Sequence, residues 1–314
     1  MEQLRIRLFG DLQVSYGGEL LPSFPTQKAK SLFAFLVLNR GRQIARDVLC
    51  GHFWGERTDA EARKALRTAL WRVRYVLRPV EASGTMCLRV GGGRVCFSGP
   101  AWVDVEEFES CIAVARAEEP DGDAERERLT RAAELYRADL LEGSYESWCQ
   151  PERDRLRFAL LSGLERLVER HRERGEWQDA IRWGNQLIRW DPLREQVHRS
   201  LMLCHLANGD RPSALRQFRA CAQVLSDELG IEPMEETERL HHRIRAGTPL
   251  NGSPHLMAGA LGQDAALAEL AHSVQGALAE MRSLLGQIEQ AAALRPRRPS
   301  PASGDARRAT FAAS

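Results

Sequence analysis

The sequence predicts a mainly α-helical protein with a small β part. Three observations predict it. Short alternating segments, three amphipathic helical segments and a glycine-tipped hairpin follow one another in residues 1–99. A 34-residue self-similarity follows, and one long heptad segment lies near the end. At 314 residues, with 43% hydrophobic and 28% charged, the chain can bury real cores and reads as more than one domain.

Leu4, Ile6 and Leu8 alternate with Arg5 and Arg7, the period of a half-buried strand. A second run, Leu12 to Tyr16, meets Gly17-Gly18, a hairpin signal. After Pro22 and Pro25, residues 26–39 read as a helix with Leu32, Phe33, Phe35, Leu36 and Leu38 inward. Residues 46–54 read as a second helix ending at Gly55. Residues 58–79 read as the third, with Thr58 or Asp59 as N-cap, Glu61 in the first turn and Pro79 as its stop. Residues 87–99 read as a hairpin, with Leu88, Val90, Val95 and Phe97 around Gly91-Gly92-Gly93. Cys87 and Cys96 would lie opposite each other if the turn is Gly91-Gly92, and two reduced thiols fit better there than a clamp.

Strands, three helices and a hairpin is the order of a winged helix-turn-helix domain, whose third helix enters the major groove. In that helix Ala62, Leu66, Ala69, Leu70, Val73, Val76 and Leu77 recur at steps of three and four. Alone, its charged face would suit a solvated surface equally well. Charge distribution favours a polyanion partner. The net charge is only +1, yet residues 1–99 hold 16 Lys/Arg against 8 Asp/Glu, a net of +8, and residues 100–250 hold 22 against 30, a net of −8. Arg67, Thr68 and Trp71 are therefore the expected base-edge contacts. Arg63, Lys64, Arg72 and Arg74 on the helix, and Arg89 and Arg94 on the wing, are the expected phosphate contacts.

Residues 102–108 read as opening a helix with an acidic first turn, after which Pro120, Gly122 and Asp123 break the chain. Further helices are expected to about Leu141, then from Pro151 to Arg174. RGEWQDAIRW and NGDRPSALRQF then repeat each other, with Gly175 and Gly209, and Ala180 and Ala214, each 34 residues apart. That is the tetratricopeptide period. Pro192 is expected to start a second repeat helix, and Pro233 the last one, to about Arg245.

At these residues a family resemblance becomes visible. Residues 1–99 resemble an OmpR/PhoB-type winged helix, without a receiver domain before it. Residues 100–247 resemble the bacterial transcriptional activation domain, through AELYRADLLEG at 133–143, PERDRLR at 151–157, LERLVERHRERGEW at 164–177, WDPLREQVHRSLM at 190–202, ANGDRPSALRQFRA at 207–220 and ELGIEPMEETERL at 228–240. The pairing resembles the Streptomyces antibiotic regulatory protein family. The resemblance implies an activator that binds double-stranded promoter DNA at direct repeats. It also implies recruitment of RNA polymerase, largely through the sigma subunit, at biosynthetic genes. No G-x-x-x-x-G-K-[ST] occurs, so no ATPase domain is expected. The rival reading is a tetratricopeptide-type interaction protein whose basic head binds nucleic-acid or membrane phosphates without sequence preference.

Residues 248–262 read as a linker. In residues 263–294, Leu267, Leu270, Val274, Ala277, Met281, Leu284, Ile288 and Ala291 step by threes and fours, a heptad seam. A coiled coil through Leu267, Leu270, Val274, Met281, Leu284 and Ile288 would make a homodimer, and a helix folded back on the repeats is the alternative. Residues 295–314 read as a disordered tail. Seven cysteines without C-x-x-C, no signal peptide and no apolar run of membrane length lead to the expectation of a cytoplasmic bacterial protein. Scattered Ser, His and Asp make no catalytic constellation, so no enzyme is expected. No cofactor or metal is expected either, since the histidines lack ligand spacing.

Overall fold

A computed structural model describes residues 3–85, 87–117 and 122–247. The linker, heptad and tail readings, including the homodimer residues, lie outside the described residues.

Strands β1 (Leu4–Arg7), β2 (Gln13–Tyr16) and β3 (Glu19–Leu20) form an antiparallel meander. In β1, Leu4 and Ile6 are buried and Arg5 and Arg7 exposed, as the alternation requires. Helices α1 (Gln27–Leu38), α2 (Arg46–Trp54) and α3 (Asp59–Ala82) follow, then the wing strands β5 (Leu88–Gly91) and β6 (Arg94–Phe97). A two-residue strand, β4 (Ile44–Ala45), pairs with β6 and makes the wing three-stranded. Two residues are too few to show a period, so the sequence gives no sign of it.

The β5–β6 register corrects the expected cysteine pairing. Arg89 lies opposite Cys96, and Val90 opposite Val95. The turn is therefore Gly92-Gly93, with φ of 56° and 75°, the pair of positive angles a tight hairpin of this hand needs. Cys87 lies outside the ladder, and its carbonyl accepts from the Ser98 amide. All seven cysteines are free and buried. Burial pushes the Cys204 thiol up to about 11 and Cys221 up to about 12, so both stay protonated.

Helix α3 runs past its expected stop at Pro79. Pro79 is exposed, while Val76, Leu77 and Val80 are buried. One lost backbone bond on the wet side costs less than unpacking the last turn.

Residues 102–108 also depart from expectation. Ala101–Val103 form a strand, β7, parallel to β1, and helix α4 (Asp104–Ala117) starts only at Asp104. Trp102 and Val103 are strand formers, and β1 has an open edge that they complete. Asp104 is 3% exposed, and its carboxylate accepts the Leu8 amide at 2.8 and 2.9 Å and the Phe9 amide at 3.0 Å. Helix α5 (Asp123–Leu135) stops six residues short of the expected Leu141. The following segment turns back to the head instead. The Leu141 amide donates to Leu8, and the Gly10 amide donates to Asp139. Leu141 takes a φ of 48° to make that turn.

The basic head is thus stitched to the acidic body. Phe9, Phe108, Tyr136 and Trp190 share a ring cluster, with Phe9–Tyr136 centroids 4.5 Å apart and Tyr136–Trp190 5.1 Å apart. Trp148 meets Phe35 at 5.3 Å. Arg40 spans the junction, donating to Glu106 at 2.7 Å and to the Gly99 and Ala101 carbonyls.

The body stacks helical hairpins. Helices α6 (Cys149–Glu173) and α7 (Trp177–Trp190) form one, and α8 (Glu195–Ala207) and α9 (Arg211–Leu229) the next. The 34-residue repeat is visible in the hydrogen bonds that end α6 and α8. The Glu176 amide donates to His171 and Gly175 to Arg172. The Asp210 amide donates to His205 and Gly209 to Leu206. These are matching helix-terminating motifs. Ala180 and Ala214 are both fully buried. A Cβ on Gly184 would come within 2.6 Å of the Leu201 side chain, so α7 and α8 approach at a residue that cannot be enlarged. Helix α10 (Glu235–Ala246) closes the stack, starting two residues after Pro233, and α8 starts three residues after Pro192.

His198 sits in this stack, 3% exposed. Its Nε2 lies 3.0 Å from the Pro192 carbonyl and its Nδ1 2.7 Å from the Gln217 amide nitrogen. That arrangement fits the neutral ring, with Nε2 donating and Nδ1 accepting. Burial lowers its pKa. The unfolded chain then binds a proton that the fold does not, so stability is full above about pH 6.5 and falls below it. Thermal melts from pH 7.5 to 5.5 should show a decline that is reduced in His198→Gln, which can repeat both bonds without titrating.

Candidate nucleic-acid interface

Helix α3 is placed by its buried stripe. Leu66, Val73, Val76 and Leu77 are at most 1% exposed, which fixes the helix rotation. At about 100° per residue, Lys64, Trp71 and Tyr75 then lie diametrically opposite the core. Arg67 and Thr68 flank that line and are exposed. The first turn is closed by a capping box. The Thr58 amide donates to Glu61 Oε2 at 3.3 Å and its hydroxyl at 2.8 Å, which holds the Glu61 carboxyl below its usual range.

The expected contacts divide into two groups. Lys64, Arg67, Trp71 and Arg74 on α3 and Arg89 on the wing are exposed. Arg63, Arg72 and Arg94 have partners within the fold. Arg63 pairs with Asp47 at 3.3 Å, Arg72 donates to Thr26 Oγ1 at 3.2 Å, and Arg94 donates to the Gln43 carbonyl at 3.4 Å. Arg63 and Asp47 are both well exposed, so that pair is weak and easily exchanged. The Thr68 hydroxyl donates back to the Lys64 carbonyl at 3.1 Å, which turns it from the outward-facing line toward its own helix.

Other residues join the surface without having been expected. A groove of about 500 Å³ runs beside α3, lined among others by Thr26, Lys28, Arg57, Lys64, Thr68 and Arg72. Thr26 caps α1, accepting the Ala29 amide at 3.3 Å, so the positive end of that helix opens beside the groove. Thr26 and Lys28 come from the start of α1 and Arg57 from the turn between α2 and α3, and only the packing of α1 and α2 on α3 gathers them. Tyr75 and Arg78 were within reach of the sequence, since they continue the outer line of α3 beyond Trp71 and Arg74.

Elsewhere, His171, Glu176 and Asp179 bring three donor atoms within 4.8 Å of one another. Glu176 already accepts from Arg126 at 2.9 Å and from Arg174 at 3.2 Å. Those guanidinium groups supply the positive charge a metal ion would bring. Among the described residues, no helix is long and apolar enough to cross a membrane.

Residues 103–245 match the family model of the bacterial transcriptional activator domain. Regulatory protein AfsR of Streptomyces coelicolor is 29% identical over 248 residues, 78% of this chain and 24% of that protein. Transcriptional regulator RedD of the same organism is 28% identical, covering 71% of this chain and 65% of RedD. Regulatory protein DnrI of Streptomyces peucetius is 24% identical, covering 78% and 93%. Over more than two thirds of its length the chain is thus similar to regulatory proteins of Streptomyces. It spans about a quarter of the length of the AfsR proteins it matches. Among solved structures, Mycobacterium tuberculosis EmbR in complex with a low-affinity phosphopeptide superposes with a TM-score of 0.60 at 22% identity, over 85% of this chain and 71% of that one. That likeness concerns the fold: a winged helix followed by a helical domain. The family match begins at Val103, inside β7, so the strand that completes the head's sheet also leads into the activator domain.

Proposed function

We propose that this protein is a member of the Streptomyces antibiotic regulatory protein family and a sequence-specific, DNA-binding transcriptional activator. In this reading α3 enters the major groove of promoter direct repeats and the helical body recruits RNA polymerase, through its sigma subunit, at a biosynthetic gene cluster. One observation carries the reading. The face of α3 opposite the core is a continuous exposed line of Lys64, Arg67, Trp71, Arg74 and Tyr75, beside a wing that displays Arg89. Arg67 and Trp71 read base edges, with Thr68 beside them. Lys64, Arg74 and Arg89 hold phosphates, joined by Arg63, Arg72 and Arg94 once these exchange their present partners.

Binding of purified protein to duplexes selected from a random-sequence pool, compared with unselected duplexes, tests the reading. Preference for the selected duplexes supports it. Equal binding would point to a basic head that grips phosphates without reading sequence. Arg74→Ala should weaken both kinds of duplex alike and lower the slope of log affinity against log salt by about one unit. The heptad segment at 263–294 is proposed to make a homodimer. Deleting residues 263–314 should then lower the mass in light scattering, and an unchanged mass would remove that claim.

A further inference from the structure

We infer that the paired rings of Trp71 and Tyr75 form an apolar reader that selects thymine by its 5-methyl group. This makes Tyr75 a specificity-determining residue, and it rests on the DNA reading of α3 above. Trp71 is 65% exposed and Tyr75 47%. Their ring centroids are 5.9 Å apart with planes 25° from parallel. The Arg78 guanidinium lies 5.7 Å from the Tyr75 ring centre. The pair is thus braced at one end by a cation and presents a broad apolar surface at the outermost line of the helix. Two large rings held in water forgo burial that a partner surface could supply.

The chemistry of that partner is narrow. In the major groove, the thymine 5-methyl is the apolar group displayed on a base edge, and every other base presents hydrogen-bonding atoms there. The flanking Lys64, Arg67, Arg74 and Arg78 keep the rings against a polyanion. The start of α3 is poorly suited to the groove floor, because Asp59 and Glu61 occupy its first turn. Contact is therefore shifted to the middle of the helix, where the aromatic pair sits.

The experiment uses the full chain and duplexes enriched from a random pool, rebuilt with deoxyuridine in place of single thymines. Removing a methyl group at a contacted position should weaken binding about fourfold. Trp71→Ala and Tyr75→Ala should abolish that sensitivity, while Tyr75→Phe should keep it. Both positions are exposed, and unchanged thermal melts check that the variants fold. Enriched duplexes bound equally well with uracil throughout would overturn the inference and leave the DNA reading intact. So would methyl sensitivity that survives both alanine variants. Failure to enrich any sequence would remove the DNA reading, and the inference with it.

Discussion

Asp104→Ala should lower the melting temperature by about 8–15 °C, the largest stability effect expected of a single polar residue here. The carboxylate is 3% exposed and accepts the Leu8 and Phe9 amides, and the Val105 amide at the start of α4. Alanine leaves those N–H groups buried without partners. Each orphaned donor costs about 1–3 kcal/mol, and with each in the lower half of that range the three together cost about 3–5 kcal/mol. Burial is the largest influence on this carboxyl and raises its pKa, while the Phe9, Leu8 and Val105 amides pull it down. Asp104→Asn should fall between wild type and alanine, because an amide keeps one acceptor oxygen but turns an NH2 toward a second donor. The consequence extends beyond stability. Asp104 ties the end of β1 to the first turn of the activator domain, so the alanine variant should also loosen the head from the body. Limited proteolysis should then cut near residues 98–104 faster than in wild type. A melt within 2–3 °C of wild type would show that the two parts are held by the ring cluster around Phe9 and Tyr136 instead.

Arg67→Ala should reduce the preference for selected over random duplexes by about 10- to 100-fold, while binding to random duplexes changes little. A guanidinium bidentate to guanine contributes about 1–3 kcal/mol of discrimination, whereas a phosphate contact contributes affinity without sequence information. Arg67 is exposed and flanks the outermost line of α3. Arg72 should behave differently, because its guanidinium already donates to Thr26 at the start of α1. Equal loss on selected and random DNA would assign Arg67 to the backbone and leave α3 without its main reader. Competition binding at two salt concentrations separates the two outcomes.

Much of this molecule was legible from periodicity. Alternation located β1. Three- and four-residue steps located the buried face of α3, and therefore which residues it exposes. The spacing of Gly175 and Gly209 announced repeated hairpins whose terminating hydrogen bonds do match. Local signals were least reliable where a distant segment competed for the same residues. Pro79 signalled a stop, but Val80 had a core to pack on. Tyr136–Leu141 looked helical, but its backbone found partners on Leu8 to Gly10, just after β1. Trp102 looked like a helix start, but β1 had an open edge. Cys87 and Cys96 were expected face to face, and a one-residue difference in the turn moved them apart.

The sequence by itself determined the order of elements, the basic head and acidic body, and the rotation of α3, because each follows from residue period or local charge. The tertiary structure decided what surrounds α3: Thr26, Lys28 and Arg57 gathered beside it, and Arg63, Arg72 and Arg94 partly engaged within the fold. It also decided that the head and body share strands, rings and a buried carboxylate. Such contacts join residues about a hundred positions apart, and no local pattern encodes which distant backbone group a given amide will meet.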